Sequence, residues 1–211
     1  MKRTLCLGDS NTYGFDPRSY IGARYPEGIR WTSLIRNPET EVINCGENGL
    51  CIPAAYLFPV YRTLLKRYLP ISTIIIMLGS NDLLAGTPLT EISDKMAGFV
   101  QMVKDSAPDS DIILVSPPHM QLGEWVQSRE IIKRSSELGS VYTALADRLA
   151  IFFADAEKWH VSLTYDGVHF SEDGHRAFAA GVLQSLPGNK TEESSPSGQL
   201  RDCTQEGVNL N

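Results

Sequence analysis

Apolar residues gather along this chain into five short runs, separated by longer stretches in which they recur every three or four positions. The runs are "RTLCLG" (3–8), "EVINC" (41–45), "TIIIML" (73–78), "DIILVS" (111–116) and "IFFADA" (151–156). They are rich in β-branched and aromatic residues, and several are apolar at consecutive positions. That pattern suits the strands of a parallel sheet covered on both faces. The stretches between them read as helices. Residues 30–36 form a short one, and residues 53–68 open with Pro53, which suits a first helical turn. Residues 90–105 place Ile92, Met96, Phe99, Val100 and Val103 on one face, with Thr90 as the N-cap. Residues 128–149 carry Leu138, Val141, Tyr142, Leu145 and Leu149 on one stripe. Residues 172–186 follow a capping Ser171, with Glu172 and Asp173 in the dipole-favoured first turn.

This alternation predicts an α/β fold, a three-layer α/β/α sandwich around a five-stranded parallel sheet. Right-handed crossovers bring the loops that follow the strands to one edge, where ligands bind in such folds. Two segments depart from the rhythm. Residues 15–29, "FDPRSYIGARYPEGI", read as a surface loop. Residues 187–211 are polar, with too little apolar surface to offset their ordering entropy, and are expected to form a disordered tail on a single domain of residues 1–186.

Composition narrows the function classes. A formal net charge of −6 argues against nucleic acid or an anionic membrane as partner. No apolar run approaches the roughly 18–20 residues that a membrane span needs. The start, "MKRTLCLGDS", runs straight into the first strand with no signal-peptide pattern, so a cytoplasmic location is expected. Cys6, Cys45, Cys51 and Cys203 form no C-x-x-C pair and read as reduced thiols, with a Cys45–Cys51 disulfide as the alternative.

The chemistry lies just past the strands. "GDSNTYG" follows the first, "NCGENG" the second, "LGSND" the third and "PPHM" the fourth, and "YDGVHF" lies beyond the fifth. Ser10, between Gly8 and Gly14, is a nucleophile candidate if a base can take its proton; otherwise it is an N-cap. His169 is the candidate base, because Asp166 three residues earlier can hold one ring nitrogen and turn the other toward Ser10. His119 is the rival base but has no acid at close spacing, while His160 and His175 read as surface or helix-start residues. An oxyanion could meet the Ser10 N–H, a Gly46 or Gly49 N–H and the Asn81 amide, although Asn81 also suits an Asx-turn.

In this order the blocks resemble the SGNH hydrolases, also called GDSL-type esterases and lipases, over residues 3–186. Within that family, "IIIMLGSND", "ILVSPP" and "DGVHF" look like the arylesterase and perhydrolase–acyltransferase branch. The resemblance implies a flavodoxin-like sandwich, the SGNH hydrolase fold, with neither metal nor other cofactor. It implies Ser10 as nucleophile and first oxyanion donor, Gly49 as second and Asn81 as third, and Asp166 and His169 as the rest of the triad. Tyr13 stands where the branch carries tryptophan, so Tyr13, Phe15 and Trp31 are expected to line the substrate pocket.

The expected function is a serine esterase that cleaves small, acetyl-like esters through an acyl-enzyme, with acyl transfer to other alcohols as an accompanying activity. One alternative is a carbohydrate O-deacetylase, with Trp125 and aromatics of the 15–31 loop stacking on sugar rings. The other is a non-catalytic binding module on the same fold. The expected partner is a small ester, with no nucleic acid or membrane. The resemblance leaves a homo-oligomer open, and the 15–29 and 117–126 loops suit an interface or a lid equally.

Overall fold

The five apolar runs form strands β1 (Lys2–Gly8), β2 (Thr40–Gly46), β3 (Thr73–Met77), β4 (Asp111–Ser116) and β5 (Phe152–Asp155). The structure is a computed structural model that describes residues 2–19 and 21–187, so the tail expected from residue 187 lies outside the described residues apart from Pro187. All neighbouring strands pair in parallel, in the order β2-β1-β3-β4-β5. Their C-terminal ends therefore share one edge, and the motif loops leave from it.

The helices are α1 (Ser10–Tyr13), α2 (Trp31–Leu34), α3 (Phe58–Tyr68), α4 (Ser80–Leu84), α5 (Leu89–Ser106), α6 (Arg129–Leu149) and α7 (Glu172–Ser185). Alternate strand residues divide the core in two. Leu5, Leu7, Ile74, Ile76, Ile112 and Leu114 face α3, α5 and α6. Cys6, Ile75, Met77, Ile113 and Val115 face α2 and α7. This period-two division explains why the runs are apolar throughout, and it completes the three-layer sandwich.

Helix starts differ from expectation in two places. The N-cap of α5 is Pro88, so Thr90 is already its second residue; proline's fixed φ presets the entry. In the 53–68 segment, a 3-10 turn at Ala55–Leu57 comes first and α3 starts at Phe58 with Pro59 in its first turn. Ser128 and Ser171 cap α6 and α7, accepting from the N–H groups of Ile131 and Gly174. Cys6, Cys45 and Cys51 are free thiols. Among the described residues no helix is long and apolar enough to cross a membrane.

Candidate active site

At the end of β1 the chain turns sharply. A Cβ on Gly8 would lie 2.1 Å from Thr12 Oγ1, so only glycine lets α1 fold back this closely. Asp9 caps α1 by accepting from the Asn11 N–H at 3.0 Å. Ser10 is the first residue of the helix, where backbone N–H groups have no partner within the helix. Asn11 fixes the register with a distant loop. Its Nδ2 donates to the Val168 carbonyl at 3.2 Å, and its Oδ1 accepts from the Phe170 N–H at 2.9 Å. It therefore holds the residues on both sides of His169.

That loop brings Ser10, His169 and Asp166 into one line. Ser10 Oγ is 2.9 Å from His169 Nε2, and His169 Nδ1 is 2.7 Å from Asp166 Oδ2. Asp166 Oδ1 also accepts from the N–H groups of Val168 and His169 at 2.9 Å. Burial would raise the Asp166 carboxyl, but these bonds outweigh it and hold the carboxyl down at about 2. An ionised carboxylate only accepts, so Nδ1 carries the ring proton and Nε2 presents a lone pair to the Ser10 hydroxyl. Phe15 and Trp125 border the imidazole, with ring centres 4.7 and 4.9 Å from it.

The Asp166–His169 loop is braced from behind. The Gln121, Glu124 and Trp125 N–H groups donate to the carbonyls of Gly167, Tyr165 and Asp166 at 3.0, 3.1 and 3.1 Å. The two segments touch so closely that a Cβ on Gly123 would stand 2.3 Å from the Asp166 carbonyl carbon.

The oxyanion candidates separate cleanly. Gly46 is committed elsewhere: its N–H donates to Asn44 Oδ1 at 2.9 Å, and a Cβ on it would strike the Tyr13 backbone. Gly49 stands in a tight turn closed by the Leu50 N–H on the Glu47 carbonyl, with φ +72 and open space beside its Cα. It borders an open hollow of about 420 Å³ shared with Cys51, Tyr56 and Lys95. Asn81 Nδ2 donates to the Leu50 carbonyl at 3.0 Å, and buried Asp82 accepts from the Ile52 N–H at 2.9 Å. Adjacent residues of α4 thus hold the turn that carries Gly49.

Other readings need correction. Trp31 does not line a pocket: it is 1% exposed, packs on Phe178 and donates from Nε1 to the Asn11 carbonyl at 3.0 Å, a core support beneath α1. Tyr13 is half-buried under the Arg24 guanidinium, 4.3 Å from its ring centre. His119 is bound through Nδ1 to Glu157, away from Ser10. His175 is a helix-start residue in the first turn of α7 but is fully buried rather than at the surface, and burial first, then the charge of Arg30, pushes it down to about 3. Asn11, Asp82 and the Gly123 brace were missed; nothing in their local spacing distinguishes them from ordinary turn residues. Among the described residues no cluster of three or more His, Cys, Asp or Glu side chains could hold a metal ion.

Similarity to known proteins agrees with this geometry. The profile of the GDSL-like lipase/acylhydrolase family matches residues 6–177. Among solved structures, the aryl esterase of M. smegmatis is similar at 30% identity and a TM-score of 0.75, over 88% of this chain and 100% of that one. A carbohydrate acetylesterase family member from Sinorhizobium meliloti is similar at 27% identity and a TM-score of 0.76, over 87% and 98% of the two chains. Among curated protein sequences none matches significantly. The match over most of the folded chain, with the motif blocks on one sheet edge, establishes that the chain belongs to the GDSL-like lipase/acylhydrolase family and is a serine hydrolase acting on ester bonds.

Proposed function

We propose that the protein hydrolyses small, acetyl-like carboxylic esters through Ser10, His169 and Asp166. The observation that carries this reading is the unbroken line from Ser10 Oγ through the imidazole to Asp166. His169 Nε2 takes the hydroxyl proton as Ser10 Oγ attacks the ester carbonyl carbon. The carbonyl π electrons move to oxygen, and the resulting oxyanion is received by the Ser10 and Gly49 N–H groups and the Asn81 amide. As the tetrahedral species collapses, the ester C–O bond breaks and His169 gives its proton to the departing alcohol. Water, activated by the same imidazole, then cleaves the acyl-serine; another alcohol in its place gives acyl transfer. Asp166 stays ionised and stabilises the imidazolium. The aryl esterase and acetylesterase likenesses support a small acyl group.

The test is hydrolysis of p-nitrophenyl esters from acetyl to dodecanoyl by wild type and Ser10→Ala. Turnover should peak at the shortest acyl groups and fall by about 10⁴-fold or more in the variant. Wild-type turnover in Ser10→Ala would end this reading.

Trp125 favours a second reading, a carbohydrate O-deacetylase using the same residues. It is 54% exposed with its ring edge-on to His169, and an indole face suits a sugar ring. Acetylated xylan turned over better than p-nitrophenyl acetate, with the advantage lost in Trp125→Ala, would support it.

A further inference from the structure

The loop between α1 and α2 lays two arginines against the C-terminal end of α1. Arg24 Nε donates to the Tyr13 carbonyl at 2.7 Å, and its guanidinium covers the Tyr13 ring at 4.3 Å. The stem of Arg30 runs along Gly14, where a Cβ would meet its Cγ and Cδ at 2.6 Å. Arg30 Nε is buried and has no hydrogen-bond partner among the described residues. Within that set neither guanidinium has a carboxylate at ion-pair distance, although nearby Arg18 is held by both Asp16 and Glu172. Burial first, and then the charge of Arg30, disfavours the charge on Arg24.

Capping of the α1 carbonyl accounts for Arg24 Nε and nothing more. Among the described residues the part-exposed terminal nitrogens of Arg24 meet no protein acceptor, and the Nε of Arg30 is a buried donor with none. Buried donors are normally satisfied, and like charges partly withdrawn from water are favoured by a counter-ion between them. Guanidinium forks match the geometry of a carboxylate or other oxyanion.

The place matters as much as the charge. Ser10 and Tyr13 are three residues apart on α1, so they are neighbours on one face with Cβ atoms about 5–6 Å apart. Arg24, lying on Tyr13, therefore stands about one helical turn along α1 from Ser10. An ester whose acyl or alcohol part carries a carboxylate a few bonds from the carbonyl spans that gap. With a net charge of −6 the molecule as a whole repels anions, so a local cationic site would be needed to hold one.

We propose that Arg24 and Arg30 form an anion subsite beside Ser10, and that the preferred substrate is an ester carrying a carboxylate or similar oxyanion. This rests on Ser10 as the nucleophile and narrows the substrate class.

The experiment compares matched pairs at low ionic strength. The first pair is 4-acetoxybenzoate and its methyl ester, with the anion on the alcohol side. The second is mono-p-nitrophenyl succinate and p-nitrophenyl butanoate, with the anion on the acyl side. In wild type, kcat/KM for the anionic member of one pair should exceed its neutral partner by about ten-fold, chiefly through KM. Added salt should narrow the ratio. Arg24→Gln and Arg30→Gln should each reduce it, and Arg24→Lys should retain part of it. Turnover of the neutral esters without preference for either anion overturns the subsite, as does a preference that persists in both glutamine variants. Failure to turn over any of the four esters overturns the esterase reading, and the subsite with it.

Discussion

Asp9 is a carboxyl group cut off from water one residue before the nucleophile, 1% exposed. Burial pushes its pKa up from 3.8 to about 6, against the opposing pull of the Asn11 N–H and of His169 whenever that ring is protonated. Because the folded value is raised, the protonated form is favoured by folding. That contribution is full below pH 3.8 and is lost as pH rises through about 6. At pH 8 the ionised group then costs about 3 kcal/mol of stability. We expect a catalytic return: a negative charge near His169 would favour the imidazolium that forms as Ser10 gives up its proton. Asp9→Asn keeps an oxygen to cap α1 and removes the charge. We expect thermal melts at pH 8 to show a more stable protein, the gain fading toward pH 4, and turnover lower by about ten-fold. A stability difference that does not vary with pH would refute this account. At this scale the motif residues were legible because Ser10 and Asn81 stand where a strand has just ended, and Asp166 and His169 stand in a D-x-x-H block between β5 and α7. Trp31 was not. An aromatic next to a motif can face either the pocket or the core, and only the Asn11 carbonyl and Phe178, both distant in sequence, decide that it faces inward.

Between elements, the key contact is the grip of α4 on the turn after β2. Asn81 donates to Leu50 and Asp82 accepts from Ile52, so the Gly49 turn is held from both directions. Lys95 Nζ stands 3.9 Å from the other Asp82 oxygen. Gly49 has open space beside its Cα, so the turn that carries it is held by these α4 bonds rather than by packing on Gly49 itself. Asp82→Ala would leave the Ile52 N–H without its acceptor, at about 1–3 kcal/mol of stability. It should also lower kcat by about 10–10²-fold with KM little moved, since Gly49 as the proposed oxyanion donor would act chiefly in the transition state. Asp82→Asn retains an acceptor and should keep most of the turnover. Steady-state kinetics of the two variants check this; an unchanged kcat in Asp82→Ala would show that the turn is held some other way. The strands were legible to within one or two residues because runs such as "TIIIM" are buried on both faces. Helices α1 and α4 were not, being too short at four and five residues to show a 3.6-residue period. These two invisible helices carry Ser10 and Asn81.

Across the whole molecule, Ser10 and His169 meet although they are 159 residues apart in the chain. Their meeting depends on the parallel topology, which gathers every post-strand loop to one edge, and on braces such as Gly123 behind Asp166. The topology could be argued from strand–helix alternation alone. The braces could not, since they join segments distant in sequence. This division predicts that stability and catalysis respond differently to damage at the two edges of the sheet. Ile112, 3% exposed, lies near the start of β4, at the edge away from the site. Ile112→Ala should cost about 2–5 kcal/mol of stability yet leave kcat close to wild type well below the melting temperature. Gly123→Ala places a methyl 2.3 Å from the Asp166 carbonyl carbon, so the two loops must part. The Asp166–His169 line then shifts, and kcat should fall by about 10²-fold, since sub-ångström misplacement of catalytic groups is that damaging. Denaturant unfolding and steady-state kinetics on both variants separate the two effects. If Ile112→Ala lowers kcat as far as Gly123→Ala does, overall stability rather than loop geometry sets the rate, and the braces have no catalytic part.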